Sequence, residues 1–382
     1  MYYHIILTEE CNSRCKYCYE KSLCEFDNGL GEKWEFDFDV PSELEFDVSK
    51  LNSFLKSGDG VIFYGGEPLI NFKKMKEIID SIENHFGVGK INFFMQTNAK
   101  ILNIVPENYM KKFSRILVSI DGNKERTDYN RGKHTYDLVL KNLRKIRNNS
   151  FCGEIVARMT ISQEFPDLFE QVRHLVGLIE EGIFSSVHWQ IDAGFYKTDF
   201  NYEKFRKFVE EYNKNVLELI NFWINYMKVH GEVLRFYPFV GIFNRIVGWD
   251  KTKVGNGLMC GSGFANYTIA TDGKIVACPI MNNVMNFCAG DLDTSSDNLK
   301  KFEIGEPCKS CDYLRNCGGR CLYSNQAKLW PPEGEDLVCK TVKFLIDSLN
   351  SCAEEILELI NAGVVKKEDF EYEKYFGPEI IP

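Results

Sequence analysis

Three cysteines lie close together near the start of the chain, in the stretch CNSRCKYCYE (residues 11–20). Clustered thiolates of this kind bind metal ions or iron–sulfur clusters, and a structural zinc site or a closed cluster has four protein ligands. Cys11, Cys15 and Cys18 supply only three. They therefore indicate a metal centre with one position open to another ligand.

A second and denser group of cysteines lies beyond residue 250, around the stretch CKSCDYLRNCGGRC (residues 308–321). Its members are Cys260, Cys278, Cys308, Cys311, Cys317, Cys321 and Cys339. In an intracellular protein, clustered cysteines indicate metal binding more often than disulfides. The spacing alone fits zinc as well as iron–sulfur clusters.

Polar residues follow three of the predicted strands. In FYGGEP (63–68), Gly65 and Gly66 let the backbone approach a ligand, and Glu67 can accept hydrogen bonds from an ammonium group. The stretches MQTNA (95–99) and SIDG (119–122) contribute Gln96, Thr97, Asn98, Ser119 and Asp121. These side chains could bind hydroxyl or carboxylate groups of a cofactor, although each alone also fits a helix cap or a turn.

Short apolar runs alternate with helical patterns through the first half of the chain. The predicted strands are 2–7, 61–64, 91–96, 115–120, 154–161 and 187–191, with helical patterns such as 71–86 and 135–149 between them. This repetition predicts an α/β fold, a partial (β/α)6 TIM-like barrel with parallel strands and right-handed crossovers. Chemistry in such barrels takes place at the carboxyl ends of the strands, where the cysteine trio and the polar residues lie.

Changes in composition along the chain predict four consecutive segments. We expect the partial barrel over residues 1–200, a helical and aromatic segment over 201–254, and a small cysteine-rich domain over 255–345. A C-terminal helix, with its pattern around 343–363, and a tail complete the chain over 346–382. At 382 residues the chain is long enough for two domains.

The overall charge excludes some partners. The net charge of −9 gives no general electrostatic footprint for nucleic acid, and the basic stretch KNLRKIR (141–147) is typical of a solvated helix face. The chain has no apolar run of membrane-spanning length and no export signal, so we expect a cytoplasmic protein without a membrane partner.

The spacing Cys11-x3-Cys15-x2-Cys18, with Tyr17 before the last cysteine, resembles the signature of the radical S-adenosylmethionine (radical SAM) superfamily. The resemblance implies that the three thiolates hold a [4Fe–4S] cluster, whose fourth iron chelates the amino and carboxylate groups of S-adenosylmethionine (SAM). An electron from the cluster would cleave SAM to methionine and a 5′-deoxyadenosyl radical. A donor such as flavodoxin or ferredoxin would supply this electron.

Two further segments are similar to the family's cofactor-binding motifs. Gly65, Gly66 and Glu67 match the motif for the methionine amino group. Arg131, in the stretch TDYNRGKHTYD (127–137), matches an arginine that contacts the cofactor. We expect His134 of this stretch to be a loop residue.

The second cysteine group resembles the SPASM extension of radical SAM enzymes, which binds auxiliary [4Fe–4S] clusters and whose named members modify peptides or proteins. The resemblance implies two such clusters, for a total of one catalytic and two auxiliary centres. Carried over by position, one auxiliary cluster is held by Cys308, Cys311, Cys317 and Cys339. The other is held by Cys260, Cys278 and Cys321.

Two departures from the family pattern bear on function. Sulfatase-maturing members have a basic aspartate directly after the cysteine that corresponds to Cys278, whereas this chain has Pro279, so formylglycine formation is not expected. The second auxiliary cluster has three predicted ligands where a closed cluster has four. Either Cys288 is the fourth ligand, or one iron is open and could bind a substrate thiolate, which would favour thioether formation.

The cysteines outside these sets are Cys24, Cys152, Cys288 and Cys352. Apart from the alternative for Cys288, we expect each of them to be a small buried apolar residue.

Three functions compete. The first is modification of a side chain in a ribosomally made peptide or protein, by a thioether or carbon–carbon crosslink or another oxidation, with cysteine-containing peptides among the substrates. The second is dehydrogenation of a small-molecule or carbohydrate alcohol. The third, a non-enzymatic iron–sulfur electron carrier, would not need the GGEP motif. Because the first strand starts at Tyr2, we expect substrate recognition at the barrel mouth, in the helical segment or on another chain.

Replacement of Cys11, Cys15 and Cys18 together by alanine is expected to abolish reductive formation of 5′-deoxyadenosine, because no thiolate remains to hold the catalytic cluster. The auxiliary iron should be retained. Chromatography of the nucleoside and iron analysis of the same samples check both statements. Undiminished cleavage of SAM by the variant would show that the trio does not hold the catalytic cluster.

Overall fold

The computed structural model describes residues 1–18, 33–192, 200–250, 257–328 and 330–382. Spatial contacts divide the chain into two compact units. The first unit comprises Met1–Ile120, Lys124–Val156 and Gly261–Glu303, and the second comprises Asp121–Asn123, Ala157–Cys260 and Ile304–Pro382. The two units are defined by contacts in space and each combines separate parts of the sequence. They do not test the four consecutive segments, which stay a prediction.

The strands in the described residues include all six that the sequence predicts. In chain order they are β1 (Tyr2–Ile6), β2 (Gly60–Tyr64), β3 (Asn92–Thr97), β4 (Phe113–Ser119), β5 (Glu154–Ile161), β6 (Ser186–Ile191), β7 (Asn266–Ile269), β8 (Lys274–Val276) and β9 (Cys288–Asp291). The order within the first unit is β4-β3-β2-β1-β7-β8-β9. Strands β1 to β4 and β7 are parallel, whereas β8 and β9 are antiparallel. In the second unit β6 lies beside β5. The predicted α/β class with a parallel sheet is confirmed.

Helices follow the strands and contribute the other layer of the fold. They are α1 (Lys50–Phe54), α2 (Phe72–Phe86), α3 (Glu107–Met110), α4 (Lys124–Arg131), α5 (Thr135–Asn148), α6 (Leu168–Glu180), α7 (Tyr202–His230), α8 (Tyr237–Ile246), α9 (Leu314–Cys317), α10 (Leu322–Ala327), α11 (Pro332–Ser351) and α12 (Ala353–Asn361). Helix α2 is typical: the Asn71 side chain accepts a hydrogen bond from the backbone N–H of Lys74 at 3.3 Å and caps its first turn. Its buried face repeats at helical spacing through Met75, Ile78 and Ile82.

The helical and aromatic segment forms two helices. Helix α7 begins after Asn201, whose side chain accepts a hydrogen bond from the N–H of Lys204 at 2.9 Å, and it ends at Gly231 in the left-handed conformation. The indole of Trp223 on this helix donates a hydrogen bond to the carbonyl of Leu234 at 2.8 Å. This bond satisfies the polar group of a large buried side chain and fixes the chain between the two helices.

The predicted C-terminal helical region around 343–363 is helical in the structure, with one break. Two helices, α11 and α12, occupy the region, and α11 begins earlier, with Pro332 at its first position. The helices separate at Cys352, whose backbone leaves the helical region. Ser351 donates its hydroxyl to the carbonyl of Ser348 at 2.7 Å, a local bond of the kind that competes with a continuing helix.

The basic stretch on α5 is a solvated face, as predicted. Lys141, Arg144 and Lys145 point to solvent, while Leu143 and Ile146 are buried.

Within the described ranges, no helix is long and apolar enough to cross a lipid bilayer.

A buried histidine lies at the centre of β6. The His188 side chain is fully buried, and its Nε2–H donates to the carbonyl of Ile380 at 3.0 Å. Burial lowers the pKa of His188 to about 3, and the nearby positive charge of Arg158 acts in the same direction. The imidazole is therefore neutral in the folded protein at neutral pH.

This burial makes stability depend on pH. In the unfolded chain the imidazole binds a proton below its ordinary pKa near 6.5, whereas the folded protein excludes that proton down to about pH 3. Stability is therefore lost as the pH falls through this window. Between pH 6.5 and pH 5, wild type should lose about 2 kcal/mol more than His188→Gln, as unfolding with urea at the two pH values would show. The control His85→Gln, at an exposed residue, should follow wild type, and an equal pH dependence for His188→Gln would exclude His188 as the cause.

Candidate metal centre and cofactor site

The cysteine trio lies in one loop that follows β1. Cys11 is exposed, and Cys15 and Cys18 are half-buried. The backbone N–H of Cys18 donates to the carbonyl of Cys15 at 3.2 Å and closes a tight turn. The three thiols thus share a short accessible loop, and their binding of one cluster stays a prediction.

The glycines of the GGEP motif hold the base of this loop. The N–H of Gly66 donates to the carbonyl of Thr8 and the N–H of Glu67 to the carbonyl of Glu10, both at 2.9 Å. A Cβ atom on Gly66 would lie 2.4 Å from the Glu10 carbonyl oxygen, and one on Gly65 would lie 2.2 Å from that of Thr8. Gly65 also has a φ of +142°. Glycine is required here because two backbone segments touch.

The carboxylate of Glu67 lies inside the protein. It accepts hydrogen bonds from the Thr97 hydroxyl at 2.7 Å, from the N–H of Asn98 at 2.7 Å and from the N–H of Leu69 at 3.2 Å. The residue has no exposed surface, and burial raises the pKa of Glu67 although these bonds oppose the shift. Glu67 therefore joins the turn after β2 to the end of β3, and its predicted bond to the SAM ammonium stays a prediction.

Asn98 connects the end of β3 to the cysteine loop. Its Nδ2 donates to Oδ1 of Asn12 at 2.6 Å and lies 3.9 Å from Sγ of Cys11. The backbone N–H of Ala99 donates to the hydroxyl of Thr97 at 2.9 Å. The side chains of Thr97 and Asn98 thus form hydrogen bonds within the protein, and their predicted contacts with the cofactor stay a prediction.

The carboxyl end of α4 contacts the other side of the loop. The N–H of Lys16 donates to the carbonyl of Asn130 at 3.0 Å, and the Lys16 ammonium lies 2.9 Å from the centre of the Tyr129 ring. The guanidinium of Arg131 lies 5.4 Å from the ring centre of Tyr17, the aromatic residue of the motif. These cation–π contacts hold two loop residues against α4, and they place Arg131 beside the trio.

Lys100 also lies at this site, although no sequence motif singled it out. Its Nζ donates to the carbonyl of Arg131 at 3.0 Å. Burial lowers the pKa of Lys100, and the thiolates of Cys15 and Cys11 oppose this shift. The only signal in the sequence is a basic residue two positions after Asn98 in a polar turn.

The remaining predicted cofactor ligands lie at strand ends. Gln96 on β3 and Ser119 on β4 are half-buried and so remain accessible to a ligand. Asp121, in the second unit, is fully buried and accepts a hydrogen bond from the N–H of Thr160 at 3.0 Å. His134 is exposed in the left-handed conformation just before α5, in agreement with a loop position.

In the second unit, one cavity gathers the four cysteines predicted to hold a closed auxiliary cluster. Cys308, Cys311, Cys317 and Cys339 line a cavity of about 60 Å³. Burial raises the pKa of Cys317 to about 11, and the neighbouring thiolates of Cys308 and Cys339 raise it further. Burial and mutual repulsion thus disfavour the thiolate forms, and bound iron or zinc would compensate that charge. That these four cysteines hold one cluster stays a prediction.

The other predicted auxiliary ligands are divided between the units. Cys278, after β8, belongs to the first unit, while Cys260 and Cys321 belong to the second, and their grouping stays a prediction. Cys288 is the first residue of β9 and lies opposite Val276 in the β8–β9 ladder. Its Sγ contacts the carbonyl of Gly290 at 3.5 Å and is therefore directed along its own strand.

The expectation that the spare cysteines are buried is wrong for Cys152, which is exposed. Cys152 lies two residues after Ser150, whose backbone is left-handed in the turn that follows α5. Turns that connect secondary-structure elements lie at the protein surface. Cys352 is half-buried, and Cys24 lies outside the described residues.

Glu67→Gln tests whether this carboxylate supports the fold. We expect the free energy of unfolding to fall by about 1–3 kcal/mol, because one carboxylate oxygen becomes an amide that cannot accept the buried donors. Urea unfolding without SAM measures this. The control Glu77→Gln, at an exposed residue paired with Lys74, should change stability by less than about 0.5 kcal/mol. Unchanged stability together with weaker SAM binding would instead assign Glu67 to the ammonium.

Residues 5–176 match the model of the radical SAM superfamily. The chain is 21% identical to the radical SAM cyclopropyl synthase TigE of Paramaledivibacter caminithermalis, over 85% of this chain and 68% of that protein. It is 22% identical to a cysteine-type anaerobic sulfatase-maturating enzyme of Clostridium perfringens, over 83% of this chain and 87% of that enzyme.

Solved structures show the same fold. Native anSMEcpe with bound AdoMet superposes with a TM-score of 0.65 at 18% identity, covering 93% of this chain and 100% of that chain. Its complex with AdoMet and the Cp18Cys peptide gives 0.64 at 18% identity, covering 93% and 99%. Together with the loop that presents Cys11, Cys15 and Cys18, the family match establishes that this chain carries a radical SAM domain over residues 5–176.

Proposed function

We propose that this radical SAM enzyme modifies a side chain of a ribosomally made peptide or protein. The observation that carries the proposal is the cavity lined by Cys308, Cys311, Cys317 and Cys339, well beyond the matched radical SAM domain. A domain that only cleaves SAM does not need a second set of four thiolates. An added cluster is expected where a substrate radical must lose an electron to become a stable product.

The names of the relatives support this class of reaction. TigE is named as a cyclopropyl synthase, the Clostridium perfringens enzyme is named as sulfatase-maturating, and one solved neighbour holds a peptide. Pro279, which begins a 3-10 turn directly after Cys278, stands where the sulfatase-maturing members have an aspartate. We therefore propose that the substrate is a peptide or protein, as in these relatives, but that the product is not formylglycine.

Residues of the first unit give this chemistry a fixed geometry. When bound, SAM and its cluster supply one-electron C–S cleavage and a carbon radical that abstracts hydrogen from a substrate C–H bond. Cys11, Cys15 and Cys18 would hold the cluster, and the Gly65–Glu67 turn fixes the base of their loop. Asn98 fixes the side of the loop that carries Cys11. A preorganised site of this kind limits side reactions of a radical.

The proposal of a cysteine-containing substrate depends on the second auxiliary centre, for which the sequence alone predicts three cysteine ligands. The thiol of Cys288, the alternative fourth ligand, is directed toward the carbonyl of Gly290. Three protein ligands would leave one iron open to a substrate thiolate. We therefore favour thioether formation, in which the 5′-deoxyadenosyl radical takes one hydrogen atom from carbon, one proton leaves sulfur, and the remaining electron passes to the auxiliary cluster. A flavodoxin or ferredoxin would supply the electron that starts each turnover.

Mass spectrometry of short cysteine-containing peptides encoded beside the gene tests the proposal. After anaerobic incubation with reduced enzyme and SAM, we expect one peptide to lose two hydrogen atoms and one alkylatable thiol. Formation of 5′-deoxyadenosine should rise when that peptide is added.

Two variants serve as controls for this measurement. The variant with Cys11, Cys15 and Cys18 replaced by alanine should give no product, whereas Cys288→Ala should give the same product as wild type. Loss of product in Cys288→Ala together with loss of auxiliary iron would show that Cys288 is a ligand and that the cluster is closed. Oxidation of a carbohydrate alcohol, with every peptide unchanged, would contradict the proposed function and favour the dehydrogenase alternative.

A further inference from the structure

The stretch WEFDF (34–38) forms a short extended strand in the first unit. The N–H of Asp37 donates to the carbonyl of Asn283 at 2.9 Å. Phe36 and Val284 form an antiparallel bridge at the centre of the pair. One edge of the stretch is thus paired with another part of the same unit.

The opposite edge of this strand is open. The bonds on either side of the bridge are made by the neighbours of Phe36, so its own N–H and C=O point away from Val284. Among the residues that the structure describes, neither these groups nor those of Phe38 take part in a backbone hydrogen bond. An open strand edge is a template on which a further strand can pair.

Two phenylalanine rings lie beside the open edge. The rings of Phe36 and Phe38 stack with their centres 5.7 Å apart, and Phe38 is 77% exposed. Trp34 lies on the same side of the strand and is buried edge-on against Phe287, with ring centres 5.0 Å apart. The strand is therefore anchored at one end and offers an apolar surface to a partner at the other.

The alternate side chains of the strand are acidic. Glu35 and Asp39 are exposed. Asp37 pairs with Lys274 at 2.7 Å, but the same ammonium also pairs with Asp272 at 2.8 Å. One cation thus serves two carboxylates, and this side of the strand keeps a net negative charge.

The charge selects the partner that can occupy the edge. A second copy of the strand would bring acidic side chains opposite one another, which is unfavourable, whereas a basic strand is complementary. Lys33 lies at the anchored end, 5.9 Å from the centre of the Trp34 ring. The end that carries Phe38 and Asp39 is therefore the acidic one.

The strand is connected to the cysteine loop through the residues that follow Cys278. A 3-10 turn, Pro279–Met281, comes directly after this cysteine. Nδ2 of Asn282 then donates to Oε1 of Glu9 at 2.8 Å, just before the loop that carries Cys11. A peptide on the open edge would therefore be held on the same rigid unit as the predicted catalytic cluster.

We propose that the open edge of residues 34–38 binds an extended, basic segment of the peptide substrate by strand addition. The proposal rests on the proposed function and deepens it, because it names the part of the substrate that the enzyme recognises. Backbone groups of the segment would pair with those of Phe36 and Phe38, and its apolar side chains would cover the two rings. Its lysine or arginine side chains, on the other side, would lie against Glu35 and Asp39. No covalent step is involved.

Calorimetry with a defined peptide tests the proposal. The probe is an amidated peptide of alternating lysine and valine, titrated into the anaerobically reconstituted enzyme without SAM or reductant. We expect it to bind wild type, with an affinity that falls as salt is added. The same peptide with N-methylated backbone amides cannot pair with a strand edge and should not bind.

Two variants separate the apolar contact from the charged one. Phe38→Ser should weaken binding of the probe about tenfold, because the added strand no longer covers an aromatic ring. Its control Val88→Ser changes an apolar side chain of the same unit that is 78% exposed, and it should bind like wild type. Asp39→Lys should weaken binding about three- to tenfold at low salt and less at high salt. Its control Glu125→Lys, at an exposed residue of α4, changes the net charge equally and should leave binding unchanged.

Equal affinity of wild type and Phe38→Ser for the probe, or equal binding of the N-methylated peptide, would overturn the proposal. Wild-type dimers that dissociate in Phe38→Ser would overturn it as well, because a second copy would then occupy the edge. A peptide modified at the same rate by wild type and Phe38→Ser, without measurable binding of the probe, would overturn the docking edge alone. Binding of the probe as expected, with every peptide unmodified, would instead contradict the proposed function and not the docking of a basic strand.

Discussion

The cysteine loop depends on a close approach of two backbone segments, the turn after β2 and the residues after β1. The N–H groups of Gly66 and Glu67 donate to the carbonyls of Thr8 and Glu10, and Cys11 is the next residue along the chain. A side chain at position 66 would overlap the carbonyl oxygen of Glu10. The two bonds satisfy backbone groups that would otherwise need water, and they fix the point from which the loop starts. The position of the predicted cluster ligands is thus set by backbone groups of Thr8, Glu10, Gly66 and Glu67 and not by their side chains.

The same turn reaches the third strand through a buried carboxylate. Burial of an ionised carboxylate is costly unless its oxygens are hydrogen-bonded, and Glu67 accepts bonds from Thr97, Asn98 and Leu69. The ends of β1, β2 and β3 are therefore joined by backbone contacts at two glycines and by one acidic side chain. Strand ends joined in this way keep their geometry without help from a ligand.

Much of this arrangement could be predicted from the sequence, for physical reasons. Strands of a parallel sheet are buried on both faces, so they appear as short apolar runs, and all six predicted strands are present. The burial of Glu67 could not be predicted from the sequence. In a Gly-Gly-Glu turn the glutamate can be exposed at a ligand site or buried and hydrogen-bonded within the fold. The break at Cys352 depends on weak local bonds that compete with the helix. The position of Lys100 depends on the backbone of Ala99, which has no signature in the residue type.

Net charge and local charge lead to different conclusions for this chain. The net charge of −9 argues against a large polyanionic partner. Such a partner contacts a wide area of the protein and therefore responds to the summed charge over that area. A small cofactor responds only to groups within about one Debye length, roughly 8–10 Å at physiological salt. Within the first unit, the side chains of Lys16, Lys100 and Arg131 converge with the carboxyl end of α4 on the cysteine loop. The field at this loop is therefore set by the turn after β3 and by α4, and it is locally basic although the chain as a whole is acidic.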